Sequence, residues 1–288
     1  MQHSTLGASS AERWMNCPGS VALIERINPP RVETGYAQEG TQAHKVCEDV
    51  LAGIKDTWEL RFEGATAEML DGAWLYQETI EGLKHAKGKL HIEQKLCIPY
   101  DAKAFGTADC VIVNPDFLHV VDYKFGMKAV EADGNPQLLF YGLGAFFALP
   151  KGVQKKIENV SITIVQPRAQ HWEGPVRAVS LRTDQLLAWG ENTLKPAMEA
   201  TRKPNAPCVA GPWCGFCPVF IHCPINGRLP ASEDFIHEAP ETLPEPQLLT
   251  LERIAGVLQH AKRVEEWIEA VRSHAFALLS SGTEIAGW

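Results

Sequence analysis

The sequence lacks both a long apolar run and a basic segment at its start. A membrane-spanning helix needs about 20 mostly apolar residues, and no stretch of the 288-residue chain approaches that length without polar interruption. Residues 1–14 do not show the basic start and apolar run of a secretory signal. We therefore expect a cytoplasmic protein with no membrane partner.

The sequence also lacks an excess of basic residues. It has 27 Lys and Arg against 35 Asp and Glu, a formal net charge of −8. Because the chain as a whole repels phosphate, any nucleic-acid contact must use basic residues gathered locally, for which 84–89 and 151–156 are candidates. Taken alone, each of these clusters is better explained as solvated helix or loop surface. No internal repeat or low-complexity tract is visible.

The hydrophobic pattern predicts alternating helices and strands, and 45% hydrophobic residues suffice for a core. Residues 1–35 look irregular, apart from a short helix around Ser9–Trp14. Apolar residues at helical spacing predict a helix from Glu39, capped by Gly40 and Thr41. The further predicted elements are a helix over 65–89, strands over 91–99, 105–113 and 117–125, a helix over 136–149, strands over 159–167 and 176–184, and a helix capped by Asp184 that runs to about Arg202.

This order favours an α/β fold with a mixed central sheet flanked by helices. A turn at Asn114–Asp116 makes the second and third strands an antiparallel hairpin. We expect the main domain over 1–227, a Pro/Glu-rich linker over 228–247, and a helical extension over 248–288 that continues beyond Trp288. The apolar face of the extension comprises Leu251, Ile254, Leu258, Trp267, Ile268 and Val271.

The third strand ends in charged residues that a buried strand does not normally tolerate. Burying an unpaired charge costs several kcal/mol, on the order of the whole stability of a domain. Asp109 on the second strand and Asp122 on the third can converge across the hairpin, and two hard oxygen ligands suit Mg²⁺ or Mn²⁺. Lys124 leaves the strand on the same face as Asp122, whereas Tyr123 points away but offers its backbone carbonyl as a ligand.

Such a set suits metal-assisted hydrolysis of a phosphodiester. The lysine would orient or help deprotonate the attacking water. A D-x-K pattern alone is also explained by a surface ion pair. His44 could add a metal ligand, or be an ordinary core histidine; Gln137 and Tyr141 share a helix face and could reach DNA, or merely pack.

Four motifs together resemble the RecB-type branch of the PD-(D/E)xK nucleases. They are G-T-x-x-H at 40–44, G-T-A-D at 106–109, D-Y-K at 122–124 and Q-x-x-x-Y at 137–141. The branch includes nuclease domains of bacterial recombination helicase–nucleases and CRISPR-adaptation nucleases. The likeness is strongest to proteins encoded by phages and prophages beside recombination genes.

The resemblance implies a restriction-endonuclease-like fold and assigns roles to residues. His44, Asp109 and Asp122 would be metal ligands, and Lys124 the catalytic lysine. Gln137 and Tyr141 would support the site or contact DNA. Some relatives carry a useful acid on the preceding strand, which would be Glu93 here, although a solvent-facing glutamate explains that residue equally well.

Eight cysteines point to metal binding, because disulfides are rare in the cytosol. Cys214, Cys217 and Cys223 follow a C-x2-C-x5-C spacing, and Cys17 and Cys208 compete for a fourth place. Thiolate ligation suits iron–sulfur or zinc alike. RecB-type nucleases with a 4Fe–4S cluster place one cysteine before the core and three after it, so the resemblance favours iron–sulfur, with Cys17 as the fourth ligand and Cys208 as a bystander.

The remaining cysteines, Cys47, Cys97 and Cys110, are expected to be small core residues. The leading functional hypothesis is a DNA nuclease dependent on Mg²⁺ or Mn²⁺, an exonuclease in phage recombination or DNA processing. A recombination partner protein could dock on the C-terminal helix. The alternatives are a non-catalytic nucleic-acid-binding module on the same scaffold and a Zn²⁺-stabilised adaptor protein.

Overall fold

A computed structural model describes residues 4–29, 35–225 and 251–285 of the chain. Within these ranges the chain forms two compact units. The first unit holds residues 4–15 and 35–199, and the second holds 16–29, 200–225 and 251–285. The division into a main domain, linker and extension stays a prediction, and the whole predicted linker lies outside the described residues.

The helices and strands have the following bounds. The helices are α1 (Ala11–Asn16), α2 (Gly19–Ile27), α3 (Gly35–Ala52), α4 (Thr57–Phe62), α5 (Ala67–Leu83), α6 (Pro136–Ala148), α7 (Lys151–Gln154), α8 (Thr183–Trp189), α9 (Lys195–Thr201) and α10 (Leu251–Ser280). The strands are β1 (Lys89–Ile98), β2 (Asp101–Val113), β3 (Phe117–Tyr123), β4 (Asn159–Val165) and β5 (Val176–Arg182).

The five strands form one mixed sheet in the order β1-β2-β3-β4-β5. The pairs β1–β2, β2–β3 and β4–β5 are antiparallel, whereas β3 and β4 run parallel. Because a parallel pair needs a crossover, α6 and α7 connect β3 to β4. The prediction of a mixed α/β fold with helices flanking the sheet is confirmed, as is the β2–β3 hairpin.

Both faces of the sheet are covered by helices. On one face α3 and α5 enclose a core that includes Met69, Tyr76 and Tyr123. On the other face lies α6, whose residues from Leu138 to Phe146 are buried, as its nearly continuous apolar sequence predicts. Asn135 caps α6 by accepting hydrogen bonds from the backbone N–H groups of Gln137 and Leu138.

Three local predictions are wrong. Helix α3 begins at Gly35, so Gly40 and Thr41 lie inside it and cap nothing. Helix α8 begins at Thr183, which places Asp184 in its first turn, and a π-helical turn at Gly190–Leu194 interrupts its path to α9. The region expected to be irregular contains α2, whose buried face is short enough to be missed by a periodicity argument.

The second unit is built around α2 and the cysteine-rich segment. Leu23 packs with Val219 and Cys223 in a small apolar cluster. The predicted C-terminal helix is present as α10, and its Leu251 and Leu258 side chains are exposed. No helix in the described ranges is both long and apolar enough to cross a bilayer.

Two glycines of α5 provide a matched test of packing against the sheet. A Cβ on Gly72 would collide with the buried Tyr123 hydroxyl, whereas a Cβ on Gly82 meets nothing within 4 Å. We expect Gly72→Ala to lower the free energy of unfolding by about 1–3 kcal/mol through overpacking. Gly82→Ala should raise it by up to about 1 kcal/mol through helix propensity. Urea denaturation measures both, and equal effects would contradict this packing.

Candidate active site

The register of the β2–β3 hairpin brings the two predicted aspartates together. Cys110 pairs with Val121, so one step further along the antiparallel ladder Asp109 lies opposite Asp122. The backbone N–H of Tyr123 donates to Asp109 Oδ2 at 2.8 Å, which fixes the carboxylate against the end of β3. The two acids therefore lie side by side, Asp122 near the carboxyl end of β3 and Asp109 within the longer strand β2.

Asp122 and Lys124 form a buried ion pair. Lys124 Nζ lies 2.9 Å from Asp122 Oδ2, and only 2% of the Asp122 side chain is exposed. The Lys124 backbone N–H donates to Val165 O at 2.9 Å, which continues the extended ladder beyond β3. As alternation along a strand requires, both side chains leave the same face.

The pKa values of this pair are shifted by burial and by each other. Burial raises the pKa of Asp122; the Lys124 charge lowers it and the Asp109 charge raises it, and the result stays above the ordinary value. Burial lowers the pKa of Lys124, but the charge of Asp122 outweighs that effect and leaves it raised. A lysine cation therefore faces two acids, and Asp122 Oδ2 has no hydrogen-bond partner beyond this ion pair.

His44 joins the acids from α3. Its Nδ1 lies 3.5 Å from Asp109 Oδ2, and its ring packs edge-on against Tyr123 with centroids 5.5 Å apart. Burial lowers the pKa of His44, yet the hydrogen bond and charge of Asp109, with the charge of Asp122, raise it above the ordinary value. A helix packed on the sheet thus supplies an imidazole to the acidic pair.

Gln137 connects the acid and the lysine from α6. Lys124 Nζ donates to Gln137 Oε1 at 3.2 Å, and Gln137 Nε2 donates to Asp122 Oδ1 at 3.4 Å and to the Tyr141 hydroxyl at 3.3 Å. Tyr141 presses against Gly106, where a Cβ would lie 2.8 Å from its ring. The second motif therefore needs glycine to admit Tyr141; contact of either residue with DNA stays a prediction.

Glu93 lies on β1, opposite Asp109 on the neighbouring strand β2. The pairs Ile92–Cys110 and Gln94–Ala108 bracket it, so Glu93 is the neighbour of Asp109 in the sheet. Its φ of 49° is in the left-handed region, an arrangement that costs a non-glycine residue about 1–2 kcal/mol and is common at functional sites. Burial, and then the charge of Asp109, raise the pKa of Glu93.

Tyr123 holds the end of β3 in the core. Its side chain is fully buried and its ring packs against those of Tyr76 and Phe125, at centroid distances of 5.5 Å and 6.3 Å. This confirms that its side chain points away from Asp122. The use of its backbone carbonyl as a metal ligand stays a prediction.

The second unit brings Cys17 to the cysteine-rich segment. The Val209 backbone N–H donates to Cys17 Sγ at 3.2 Å, and the Gly19 N–H donates to Pro207 O at 2.9 Å. A Cβ on Gly19 would lie 2.8 Å from Cys208 N, so glycine is required for this approach. The Gly211 N–H donates to Cys214 Sγ at 3.4 Å.

The other cysteines are less uniform than predicted. Cys208 lies beside Cys17 and Cys223, and burial with these two neighbours raises its pKa to about 12. The choice of Cys17, Cys214, Cys217 and Cys223 as the ligand set stays a prediction. Cys47 and Cys110 are buried as expected, but Cys97 is exposed because it faces outward from the edge strand β1.

A further group of possible metal ligands was not anticipated. Within the described ranges, Glu131, His171 and Glu173 are the three residues whose ligand atoms all lie within 4.8 Å of one another. In the same part of the chain, neither three of the cysteines nor His44 with Asp109 and Asp122 form such a group. Glu131 and Glu173 are exposed, and the group lies in loops where no sequence pattern marked it.

These features define a mixed α/β protein with a buried acid–lysine site at the carboxyl end of β3. The chain belongs to the family described as protein of unknown function DUF2800, whose profile matches residues 3–288.

Three solved structures show similarity to the chain. SSO0001 is 14% identical, with a TM-score of 0.33, over 78% of this chain and 88% of that one. The alkaline exonuclease LHK-Exo from Laribacter hongkongensis is 13% identical, with a TM-score of 0.24, over 66% and 90%. The complex of LHK-Exo with dAMP is 12% identical, with a TM-score of 0.25, over 67% of this chain and 90% of that one.

The contact between His44 and Asp109 predicts a measurable titration. In a chelator, Asp109→Asn should lower the pKa of His44, because burial then acts without the opposing carboxylate. NMR titration of the His44 ring, assigned by its loss in His44→Gln, measures the shift. Glu48→Gln on the same helix is the control and should leave the His44 pKa in place; equal shifts in both variants would show that Asp109 is not the partner.

Proposed function

We propose that this protein is a divalent-metal-dependent deoxyribonuclease, an exonuclease that hydrolyses phosphodiester bonds in phage recombination or DNA processing. The observation that carries the proposal is the buried Asp122–Lys124 pair, with Asp109 and His44 beside it. A protein that only binds nucleic acid has no need for two carboxylates and a lysine in this arrangement. Apolar residues at these positions of β3 would avoid the free-energy cost of burying the charges.

The donor set fits Mg²⁺ or Mn²⁺. Asp122 Oδ2 is buried and lacks a hydrogen-bond partner apart from Lys124, and the two acids outnumber the one lysine. His44, Asp109 and Asp122 would hold the ion, with the Tyr123 carbonyl as a further ligand and Glu93 as an additional acid. When bound, the ion would supply a Lewis acid that polarises the phosphodiester and activates water.

The remaining side chains have separate roles around the phosphate. Lys124 places a positive charge where negative charge develops and orients the attacking water. Gln137, bonded to both Lys124 and Asp122, holds the lysine in that position. Tyr141 supports Gln137 through its hydroxyl, and either residue could reach the DNA backbone from α6.

A recombination partner protein is proposed for α10. Leu251 and Leu258 are 85% and 69% exposed on this helix, and they stand seven residues apart on one helical face. An amphipathic partner helix could cover such a stripe.

The catalytic assignment predicts a separation between metal binding and activity. Lys124→Met should lower kcat on DNA by about 10²–10³-fold, as loss of one group that stabilises developing charge typically does. It should keep the thermal stabilisation given by Mn²⁺, because lysine is not a ligand. Asp122→Asn should lose both activity and the Mn²⁺-dependent shift in Tm.

The control is Lys195→Met, which removes a lysine from an exposed ion pair on α9 and should leave activity intact. End-labelled linear and circular DNA, single- and double-stranded, with Mg²⁺ or Mn²⁺, test the exonuclease assignment. Degradation of linear DNA alone is expected; near-normal activity of Asp122→Asn would refute the active site.

We also propose a 4Fe–4S cluster in the second unit, held by Cys17, Cys214, Cys217 and Cys223. Supporting this, Cys17 and Cys214 already accept backbone N–H bonds, as cluster sulfurs commonly do. Cys17 and Cys223 are buried, and Zn²⁺ is the alternative occupant. The role would be structural, since the cluster ties residues 17–19 to the segment after 206.

The cluster proposal predicts distinct outcomes for two cysteines. Cys217→Ser should lose the brown colour of anaerobically purified protein and become less soluble before any effect on chemistry is measurable. Cys208→Ser should keep the colour, since Cys208 is assigned no ligand role. Metal analysis then distinguishes iron from zinc. A colourless, fully soluble Cys217→Ser protein of normal stability would contradict the cluster's structural role, and loss of colour in Cys208→Ser would reassign the fourth ligand.

A further inference from the structure

Two loops leave the sheet at the carboxyl ends of β3 and β4, where the acid–lysine site lies. Strands β3 and β4 are parallel, with Tyr123 opposite Val165, so the loops that follow them begin side by side. Loop A (residues 124–135) starts at Lys124 itself and leads to α6. Loop B (residues 166–175) connects β4 to β5.

Each loop exposes one large apolar side chain. Met127 in loop A is 69% exposed and Trp172 in loop B is 88% exposed. A tryptophan can bury about 150–250 Å² of surface, so leaving it in water forgoes a substantial stabilisation. Polarisable thioether and indole side chains in such positions are typical of surfaces that bind flat ligands or partners.

A buried polar network fixes the backbone beneath both side chains. Gln166 is fully buried, and its Nε2 donates to Gly126 O at 2.7 Å and Lys128 O at 2.8 Å. These are the carbonyls on either side of Met127. Arg177, 2% exposed, donates to Val130 O at 2.9 Å and to Gly174 O at 2.9 Å, so one guanidinium holds loop A and loop B together.

Loop B has its own closure, which holds Trp172 at its tip. The Gln166 N–H donates to Pro175 O at 2.8 Å and the Gly174 N–H to His171 O at 3.0 Å. The His171 ring backs the indole with centroids 5.8 Å apart, and its Nε2 lies 3.1 Å from Glu131 Oε1 of loop A. The exposure of Trp172 is therefore imposed by a fixed loop.

The surroundings favour a base over a phosphate as the occupant. Glu131 and Glu173 flank His171 and repel phosphate, whereas an uncharged aromatic base gains from stacking on an indole. Lys128, exposed beside Met127, is available to the strand backbone. A base can stack on a protein ring only when it is not stacked within a duplex.

We propose that Trp172, with Met127, is a stacking platform for an unpaired base of the DNA strand next to the cleaved bond. The platform rests on the proposed nuclease function and adds that the strand entering the site is single-stranded there. An exposed tryptophan can also bind a protein partner. The tests below distinguish a DNA base from a protein as the ligand of Trp172.

The first test is kinetic. Trp172→Ala should raise KM for a single-stranded oligonucleotide by about 5–150-fold, the effect of losing one stacked base, with a smaller effect on kcat. Trp172→Phe should recover most of the loss, because it retains a ring. Trp58→Ala is the control, since Trp58 is also 71% exposed but lies on α4. A loss of the same size with Trp58→Ala would overturn the assignment.

The second test asks whether the contact is with a base. Binding of oligonucleotides that carry one abasic site at successive positions is measured by fluorescence anisotropy in EDTA. The wild type should bind one of them about 5–150-fold more weakly than the intact strand, and Trp172→Ala should remove that difference.

The outcomes distinguish the two proposals. If the wild type cleaves DNA but Trp172→Ala has the same KM and the same abasic preference, the stacking platform is wrong and the nuclease assignment stands. Trp172 would then be assigned to a protein partner. If the wild type neither binds nor cleaves DNA, both fail. If Trp172→Ala does not fold, Trp172→Phe and its abasic profile decide, and a profile without any weakened position refutes stacking.

Discussion

The buried contact between Asp122 and Lys124 is the interaction on which the rest of the site depends. Only 2% of the Asp122 side chain is exposed, so its negative charge must be compensated inside the protein. Lys124 does this only in part, because it also bonds Gln137 and because the Asp109 carboxylate lies beside Asp122. Much of the first unit serves to hold this arrangement: β2 delivers Asp109, α3 delivers His44 and α6 delivers Gln137. An excess of buried negative charge in such a place is a reason to expect a cation.

The parallel pairing of β3 and β4 has a second consequence. It places the starts of loops A and B together at the carboxyl ends of these strands, where Asp122 and Lys124 lie. The buried Gln166 and Arg177 side chains join the two loops through hydrogen bonds to their backbone. The charge of Arg177 is compensated there by carbonyl oxygens of the two loops and of Gln166.

Local patterns predicted the strands well and the helix ends less well. Short apolar runs bounded by turn residues predicted all five strands, although β3 and β4 are buried on both faces and show no alternation. The start of α3 was placed four residues late and Asp184 was mistaken for a cap, since helix ends depend on weak local preferences that packing overrides. Cys97 was assigned to the core because the edge position of β1 cannot be read from its composition.

The sequence by itself determined the order of the elements and the spacing of the motif residues, since both follow from local periodicity and residue chemistry. It placed Asp122 and Lys124 on one face because the strand period is two. Only the tertiary structure decided that His44 meets Asp109, that Glu93 lies opposite it with a left-handed backbone, and that Cys208 lies beside Cys17. Those contacts join residues distant in the chain, and their geometry comes from register and packing that no local pattern encodes.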